Sequence, residues 1–389
     1  MTFELSSSSW GDEEIAALQR VITSGQFTMG PEVAAFEKTF AEYFGSRYAV
    51  MVNSGSSANL AAVASFFYRQ ENPLQRGDEV IVPAISWSTT YFPLQQYGLK
   101  LKFVDVDLRT LNVKPEDLEK AVTPKTRMIV GVSILGNPAA LDTMRDLADR
   151  HGLYFLEDNA ESVDAELKGR KTGTFGDTGT FSFFFSHHIS TMEGGMVITD
   201  DEETCHLLRS IRAHGWTRDL PENNTLVTSR GDDQFEAYRF VVPGYNLRPT
   251  ELSGAVGREQ MKKLPAMTRL RRKNLSKFQS LFRNDERFII QTENGKSSSF
   301  SFPIVLDPAR NPDREAVFSA LHENDIRFRI ITGGCFTRHD AIKYFDYETI
   351  DDLPNANIAH DFGLFVGNHP RDLASELEKF YRVLDETCN

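Results

Sequence analysis

Short apolar runs rich in β-branched and aromatic residues alternate along the chain with segments in which apolar residues recur at helical spacing. The apolar runs predict six strands, at Glu79–Pro83, Leu101–Asp107, Arg127–Ser133, Leu153–Glu157, Thr180–Phe185 and Met196–Thr199. The helical spacing predicts helices at Ser56–Tyr68, Lys114–Val122, Thr143–Arg150 and Glu202–Ala213. This alternation predicts an α/β fold with a mainly parallel sheet covered on both faces, in which ligands bind at the carboxyl ends of the strands.

The pattern changes near residue 265. The stretch Leu264–Asn274 is helical in pattern and strongly basic, and new strand signals follow it at Phe288–Thr292 and Ser299–Leu306. A further helix is predicted near Arg314–Asn324. We therefore predict a large domain at residues 1–265 and a smaller C-terminal α+β domain at residues 266–389.

Composition narrows the classes of function that the chain can have. The net charge of −12 argues against a broad nucleic-acid surface. No apolar stretch approaches the roughly 20 residues that cross a bilayer, and Met1–Trp10 has no basic region followed by an apolar one. Cys205, Cys335 and Cys388 are too few for an ordinary four-thiolate iron–sulfur cluster. We expect a cytoplasmic protein without a membrane segment, a metal site or a cluster.

The segment Asn53-Ser-Gly-Ser-Ser-Ala-Asn59 precedes an apolar helix. A turn of small residues at a helix N-terminus presents free backbone N–H groups, which suits a phosphate. A simple N-cap, in which Ser56 or Ser57 caps the helix, explains the same residues. Because neither a Walker A pattern nor Gly-x-Gly-x-x-Gly occurs, P-loop and Rossmann sites lose their main support.

Carboxylates follow the predicted strand Leu153–Glu157. Asp158 stands at its carboxyl end, and Glu161 comes three residues later. A carboxylate at this place can keep the ring nitrogen of a pyridine cofactor protonated, which makes the ring an electron sink. Alternatively, the acids cap the next helix or bind a loop.

Two histidines, His187 and His188, lie between an aromatic strand and the turn Glu193-Gly-Gly195. Adjacent side chains of an extended segment point to opposite faces, so one metal ion is not expected to bind both. Histidine titrates near pH 6.5 and can both take and give a proton, which favours general acid–base catalysis. We expect His187 to be the functional residue and His188 to point away as a structural one.

Together these segments resemble the sugar-nucleotide aminotransferases of the fold-type I pyridoxal-phosphate superfamily, from about Ser24 to the end of the chain. The motifs that carry the resemblance are Ser24–Pro31, Asn53–Asn59, Val104–Asp107, Gly136–Ala139, Glu157–Glu161, the Phe-Ser-Phe strand, Glu193–Gly195, Arg212–Gly215 and Gly244–Arg248. The resemblance implies an aspartate aminotransferase-like fold with a large sheet domain and a smaller C-terminal domain.

The resemblance also implies a site for pyridoxal 5′-phosphate (PLP) and its pyridoxamine form. The residues that it assigns are Gly55, Ser56 and Ser182 at the phosphate, Trp87 on the ring face, Asp158 at the ring nitrogen, Glu161 near the ring hydroxyl, and Asn246 at the phosphate of the neighbouring subunit. A residue reaching the neighbouring subunit implies a homodimer with shared active sites. His214 and Arg329 are weaker candidates for substrate contact.

One departure from the family pattern decides the expected reaction. Relatives have a lysine six residues before the Glu of Glu-Gly-Gly, and this position is His187, with no lysine between Lys171 and Lys262. An imidazole can move protons, but it cannot hold the cofactor covalently as a lysine amine does. The pattern is similar to sugar 3-dehydratases that make 3,6-dideoxyhexoses such as the colitose of lipopolysaccharide O-antigens. With so few cysteines, the chain fits the branch without an iron–sulfur cluster.

The implied reaction is removal of the C3 oxygen from a nucleotide-linked 4-keto-6-deoxyhexose, with L-glutamate as the amino donor. A GDP-linked sugar of mannose configuration is the substrate that the resemblance implies. Two alternatives stay open: a sugar-nucleotide 4-aminotransferase, and a catalytically inactive protein that uses the fold for binding. Against inactivity, the phosphate loop, Asp158 and Trp87 are all retained.

Overall fold

The computed structural model describes residues 2–388, so Met1 and Asn389, the outermost residues of the two predicted domains, lie outside the described residues. The helices are α1 Asp12–Ser24, α2 Pro31–Phe44, α3 Gly55–Phe67, α4 Ser88–Gln96, α5 Pro115–Ala121, α6 Leu141–His151, α7 Glu202–Ile211, α8 Asp233–Glu236, α9 Glu251–Phe282, α10 Arg314–Glu323, α11 Pro354–Phe362 and α12 Ala374–Thr387. The strands are β1 Tyr48–Val52, β2 Glu79–Pro83, β3 Lys100–Val104, β4 Thr126–Val132, β5 Tyr154–Asp158, β6 Glu166–Leu167, β7 Arg170–Lys171, β8 Thr178–Ser182, β9 Gly195–Thr199, β10 Phe288–Ile290, β11 Ser301–Leu306, β12 Phe328–Arg329, β13 Tyr347–Thr349 and β14 Gly363–Gly367.

An eight-stranded sheet forms the larger part of the molecule, in the order β1-β9-β8-β5-β4-β2-β3-β13. The strands from β8 to β13 in this order pair in parallel, and β9 pairs antiparallel with both β8 and β1. Asp158 is the last residue of β5 and lies opposite Thr180 of β8. The carboxyl ends of these two neighbouring strands therefore meet at one edge of the sheet.

Alternate residues of the central strands are buried in different cores, so both faces of the sheet are covered. Met128 and Val130 of β4 belong to the core that contains residues of α3, α4 and α7. Ile129 between them belongs to a second core with residues of α5 and α6. The buried positions 128–132 of β4 carry no polar side chain and form a continuous apolar run, as expected for a strand of a parallel sheet covered on both faces.

A four-stranded antiparallel sheet, in the order β10-β11-β14-β12, forms the smaller C-terminal part. The 32-residue helix α9 joins the two parts and runs through the predicted division at residues 265 and 266. Its first half packs on the large sheet through Met261 and Leu264, and its second half packs on the small sheet through Phe278 and Phe282. Because one helix belongs to both parts, the division stays a prediction.

Most predicted elements begin and end within two residues of those observed, but the predicted strands Leu101–Asp107 and Thr180–Phe185 are wrong at their C-terminal ends, because β3 ends at Val104 and β8 at Ser182. Strand β8 ends at Ser182, whose hydroxyl accepts the N–H of Phe184 at 3.4 Å. The chain then turns, and the N–H of His187 donates to the Phe184 carbonyl at 2.9 Å. The histidines therefore lie on a turn, so strand alternation cannot decide where their side chains point.

From residue 2 to residue 388, no helix is both long and apolar enough to cross a bilayer.

Candidate active site

Asp158 lies in a network of hydrogen bonds at the carboxyl edge of the large sheet. Its side chain is 5% exposed. Its Oδ2 accepts from Asn59 Nδ2 at 2.8 Å and from Thr90 Oγ1 at 2.7 Å. Its Oδ1 accepts the N–H of Ala160 at 3.2 Å. These donors fix the direction of the carboxylate, and they leave acceptor capacity for a protonated ring nitrogen.

A further hydroxyl orients Asn59 itself. Thr180 Oγ1, on the neighbouring strand β8, donates to Asn59 Oδ1 at 2.6 Å. With its carbonyl oxygen engaged, the amide of Asn59 must present its NH₂ group to Asp158. Thr180, Asn59 and Asp158 thus form a relay that links β8, α3 and β5. The sequence interpretation assigned no role to Asn59, Thr90 or Thr180.

The predicted phosphate loop lies beside the end of β8. Ser54 caps α3, and its hydroxyl accepts the N–H of Ser57 at 3.1 Å, so the N–H groups of Gly55 and Ser56 remain for a ligand. A Cβ on Gly55 would lie 2.5 Å from the Cβ of Ser182. Gly55, Ser56 and Ser182 therefore lie together, and the close approach requires glycine at position 55.

Trp87 stands at the N-cap position of α4, and its side chain is 61% exposed. Its carbonyl accepts the N–H of Thr90, whose hydroxyl in turn binds Asp158. The first turn of α4 therefore connects the exposed indole to the buried carboxylate. Ser56 joins the same turn, because its hydroxyl donates to Thr89 Oγ1 at 3.0 Å.

Glu161 lies partly buried near Asp158, where it accepts the N–H of Leu135 at 2.9 Å. Burial, the largest effect, and the nearby Asp158 carboxylate together raise the pKa of Glu161 to about 7, against the lowering effects of the Leu135 N–H and the Thr332 side chain. A carboxyl group with this pKa can accept or donate a hydrogen bond near neutral pH. This suits a group placed near a phenolic hydroxyl.

His187 lies on the turn after β8 between two aromatic rings. The ring centroid of Phe300 is 5.1 Å away at an interplanar angle of 75°, and that of Phe184 is 5.9 Å away at 90°. Ser186 Oγ lies 3.5 Å from Nδ1. Burial lowers the pKa of His187 to about 4, and the positive charge of Arg271 acts in the same direction. The imidazole is therefore neutral, and able to act as a base, at physiological pH.

His188 is 1% exposed, and its Nε2 lies 3.3 Å from the carbonyl oxygen of Ser298. Burial lowers the pKa of His188 well below its usual value. The two adjacent histidines thus differ, since His187 is partly exposed and His188 is enclosed between the two parts of the chain.

A second group of candidate residues lies on the far side of the phosphate loop. The N–H of Asn53 donates to the carbonyl of Leu247 at 2.9 Å, next to Asn246. Asn246 forms an isolated β-bridge with Ala213, and His214 follows directly. The side chains of Asn246 and His214 are both exposed, so they can reach another molecule.

His214 has a second neighbour, Arg248, whose Nη1 lies 3.0 Å from its Nε2. Arg329 lies elsewhere, on β12 of the small sheet, where it is exposed and donates to the carbonyl of Phe328 at 2.9 Å. No hydrogen bond or ion pair among residues 2–388 joins the side chain of Arg329 to the other candidates. Its role in substrate binding stays a prediction.

Comparison with known proteins gives consistent matches. A model of the DegT/DnrJ/EryC1/StrS aminotransferase family matches residues 8–378. The GDP-4-keto-6-deoxy-D-mannose 3-dehydratase of Yersinia pseudotuberculosis is 49% identical over 386 residues, which cover 99% of this chain and 98% of that protein.

Two solved structures are similar over the whole chain. The E. coli GDP-4-keto-6-deoxy-D-mannose-3-dehydratase with bound hydrated PLP matches with a TM-score of 0.97 and 47% identity, and the match covers 99% of each chain. A GDP-4-keto-6-deoxymannose-3-dehydratase with a trapped PLP-glutamate geminal diamine matches with a TM-score of 0.96 and 47% identity. That match covers 98% of this chain and 100% of the other.

Proposed function

The chain belongs to the DegT/DnrJ/EryC1/StrS aminotransferase family, and we propose that it is a PLP-dependent 3-dehydratase acting on GDP-4-keto-6-deoxy-D-mannose. The product is GDP-4-keto-3,6-dideoxy-D-mannose. For each oxygen removed, one L-glutamate is converted to 2-oxoglutarate and one ammonia is released. The predicted fold class, that of the fold-type I PLP-dependent transferases, is confirmed by the structural matches.

The observation that carries this proposal is the imidazole of His187 on the turn after β8. In the stretch between Lys171 and Lys262 the chain has no lysine, so the amine that would hold PLP covalently is missing there. An aminotransferase needs that amine to release its amino sugar by exchange. An imidazole can transfer protons but cannot displace an amino sugar from the cofactor. The reaction can then end in loss of the sugar's C3 oxygen.

The residues present fit PLP bound by noncovalent contacts. The close approach of Gly55 to Ser182 leaves a cradle of backbone N–H groups and a hydroxyl that suits a phosphate. The fixed carboxylate of Asp158 suits a protonated ring nitrogen, and the exposed indole of Trp87 suits an aromatic ring face. The choice of PLP as the cofactor is supported by the two similar structures that contain it.

Some side chains of this site would hold the cofactor, and His187 would transfer protons. When bound, the cofactor supplies an amine for the keto carbon of the sugar and an electron-accepting ring that allows the adjacent hydroxyl to leave. Asp158 holds the proton of the ring nitrogen at its carboxylate. His187 takes a proton at Nε2, because Nδ1 faces Ser186, and passes it to the departing C3 oxygen.

We further propose a homodimer with shared active sites, in which Asn246 completes the phosphate site of the other subunit. The exposed side chains of Asn246, His214 and Trp87 support this arrangement, because they are free to contact a second copy. A cytoplasmic location is proposed as well, since Cys205 and Cys335 are free and buried thiols, as proteins of a reducing compartment have.

The decisive experiment incubates the purified protein with PLP, L-glutamate and GDP-4-keto-6-deoxy-D-mannose. We expect mass spectrometry to show a nucleotide sugar lighter by one oxygen atom, with ammonia and 2-oxoglutarate in equal amounts. A GDP-linked amino sugar without ammonia would identify an aminotransferase instead. If neither product forms and no B6 form binds, the protein is a binding module.

A further inference from the structure

Phe300 lies against both histidines of the turn after β8, although the sequence interpretation assigned it no role. Its ring centroid is 5.1 Å from that of His187 and 5.7 Å from that of His188, with interplanar angles of 75° and 48°. Phe300 belongs to the segment Ser297–Phe300, which leads into β11 of the small sheet. The small C-terminal part of the chain therefore supplies one wall of the His187 environment.

The backbone of Phe300 is fixed at both of its polar groups. Its N–H donates to the carbonyl of Leu135 at 3.0 Å, and its carbonyl accepts from Arg271 Nη1 at 3.1 Å. Arg271 is itself 4% exposed, and its Nη1 also donates to Asn368 at 2.7 Å. Phe300 is thus held by the turn after β4 on one side and by α9 on the other.

The serines before Phe300 pack closely against Gly136. Ser297 Oγ and the N–H of Ser298 both donate to the carbonyl of Gly136, at 2.8 Å and 2.9 Å. Gly136 has φ +97°, and a Cβ there would lie 2.6 Å from the nitrogen of Phe300. The backbone of Phe300 therefore cannot move away from His187 unless these contacts break.

The same surroundings keep the imidazole of His187 uncharged. The charged group that acts on it is Arg271 from α9, and the other titratable group on its own turn, His188, is buried with a pKa far below its usual value. Within residues 2–388 no carboxylate lies at ion-pair distance from Arg271, so its positive charge is not offset by an acid. Burial, followed by this charge, lowers the pKa of His187 to about 4.

We propose that Phe300 is a positioning residue for His187: its ring fixes the orientation of the imidazole and excludes water from one side of it. The inference rests on the proposed function, in which His187 transfers the proton. A base that rotates or becomes hydrated loses the alignment that proton transfer requires, although the substrate still binds.

The test compares Phe300→Leu and Phe300→Met with Phe300→Tyr, which keeps the ring. Phe302→Leu is the matched control, because Phe302 is two residues along, fully buried, and packs on Phe278 of the small core at 5.1 Å. For Phe300→Leu and Phe300→Met we expect kcat for deoxygenation to fall about tenfold or more, with little change in KM. Phe300→Tyr should keep most of kcat, and Phe302→Leu should lower the melting temperature but not kcat.

A second readout uses the protein without cofactor or substrate. Histidine labelled with ¹³C at Cε1 is titrated by NMR, and the His187 signal is assigned by its loss in His187→Asn. In the unsubstituted protein we expect His187 to titrate near pH 4. Loss of the aromatic wall admits water, so Phe300→Leu should move this titration upward toward the ordinary value, and the acidic limb of kcat should move with it.

The outcomes separate the two proposals. If Phe300→Leu and Phe300→Met keep the kcat and the His187 titration of the unsubstituted protein, Phe300 does not position the imidazole, whereas the proposed function stands. If the unsubstituted protein produces no deoxysugar, the proposed function fails. In that case the NMR titration alone tests the role of Phe300. If Phe300→Leu leaves the pH at which His187 titrates unchanged, the inference is overturned.

Discussion

At the scale of single residues, the identity of one side chain separates two kinds of chemistry on the same fold. A lysine amine can form an imine with an aldehyde and can also move protons, whereas an imidazole can move protons but cannot form that imine. His187 and His188 are adjacent, yet one is partly exposed between aromatic rings and the other is enclosed beside Ser298. Environment, and not residue type, therefore supports the prediction that the two histidines have different roles.

Replacement of each histidine by asparagine tests this assignment. We expect His187→Asn to lower the rate of deoxygenation by about 10² to 10⁴, the usual contribution of a general acid–base group. His188→Asn should leave most of the rate and lower the stability by about 1 to 3 kcal/mol, since a buried polar contact is lost. Ammonia release and thermal unfolding measure the two effects. Equal loss of rate in both variants would contradict the assignment.

At the scale of secondary-structure elements, the site is built where two helices begin beside two strand ends. The first turn of α3 supplies Gly55 and Ser56, and the first turn of α4 supplies Thr90. Both helices are tied to Asp158 at the end of β5. A shift of any of these elements would therefore change the phosphate site and the ring-nitrogen site together.

The pairing of β8 with α3 can be tested with two threonines of one strand. Thr180→Val removes the hydroxyl that orients Asn59, which in turn donates to the Asp158 carboxylate. Because the carboxylate then loses a well-oriented donor, we expect the affinity for PLP to fall about tenfold. Thr178→Val is the matched control, because its buried hydroxyl has no partner among the described residues. PLP titration followed by absorbance measures both. Equal weakening by the two substitutions would refute the relay.

The junction of the two parts of the chain can be tested at Gly136. Alanine there meets both a left-handed backbone and the nitrogen of Ser299 at 2.5 Å. We expect Gly136→Ala to cost about 2 to 4 kcal/mol, since backbone strain and overpacking add. Gly152→Ala, at φ +63° with open space around the Cβ, carries the strain alone and should cost about 1 kcal/mol.

Calorimetry of both glycine variants gives the comparison. If Gly136→Ala and Gly152→Ala have the same melting temperature, the segment Ser297–Phe300 moves to accommodate the added Cβ at little cost in stability. Such a result would also argue against the proposal that this segment fixes the position of Phe300.

The sequence predicted the central strands of the large sheet, because their apolar runs are local signals, but it missed the two edge strands β1 and β13. Strand β2 was predicted at Glu79–Pro83 and is observed there. The error at the end of β8 arose because Phe184 and Phe185 have strong strand propensity, although both are exposed on a turn. Tertiary context, here the need to turn toward the site, overrode that propensity.

The candidate site was predictable where its residues belong to motifs, as with Gly55, Asp158 and Glu161. Asn59, Thr180 and Phe300 were missed because their partners are distant in sequence. Asn59 and Asp158 are 99 positions apart, and no periodicity or spacing links positions so far apart. A buried polar residue in an apolar helix, such as Asn59, is the one signal that could have been used.

At the scale of the whole molecule, the two parts of the chain are interleaved. Phe3, near the N-terminus, is buried in the core of the small sheet, where its N–H donates to Asp325. Conversely, β13 from the C-terminal part extends the large sheet by pairing with β3. The small part therefore has a fixed position beside the site, which is what allows Phe300 to act on His187.

Shared active sites predict that two inactive variants can restore one another. His187→Asn lacks the proton-transfer group, and Asn246→Ala lacks the group that reaches the other subunit. A mixed dimer contains one subunit of each variant. The subunit with Asn246→Ala still has His187, and the subunit with His187→Asn still has Asn246, so one of the two shared sites has both groups. After unfolding and refolding of an equal mixture, about a quarter of the original activity should return, since half of the dimers of a two-fold oligomer are mixed.

Each variant refolded alone is the control and should stay near its own low activity. A mixture of His187→Asn with Asp158→Ala is the matched negative control, because Asp158 is buried at the end of β5 next to the turn of its own chain. Both of these residues serve the site of the same subunit, so each site in that mixed dimer lacks one group. Recovery with Asn246→Ala and none with Asp158→Ala would show that Asn246 crosses the interface. An equal lack of recovery in both mixtures would mean that each subunit holds a complete site, because Asn246 would then lie beside the His187 of its own chain.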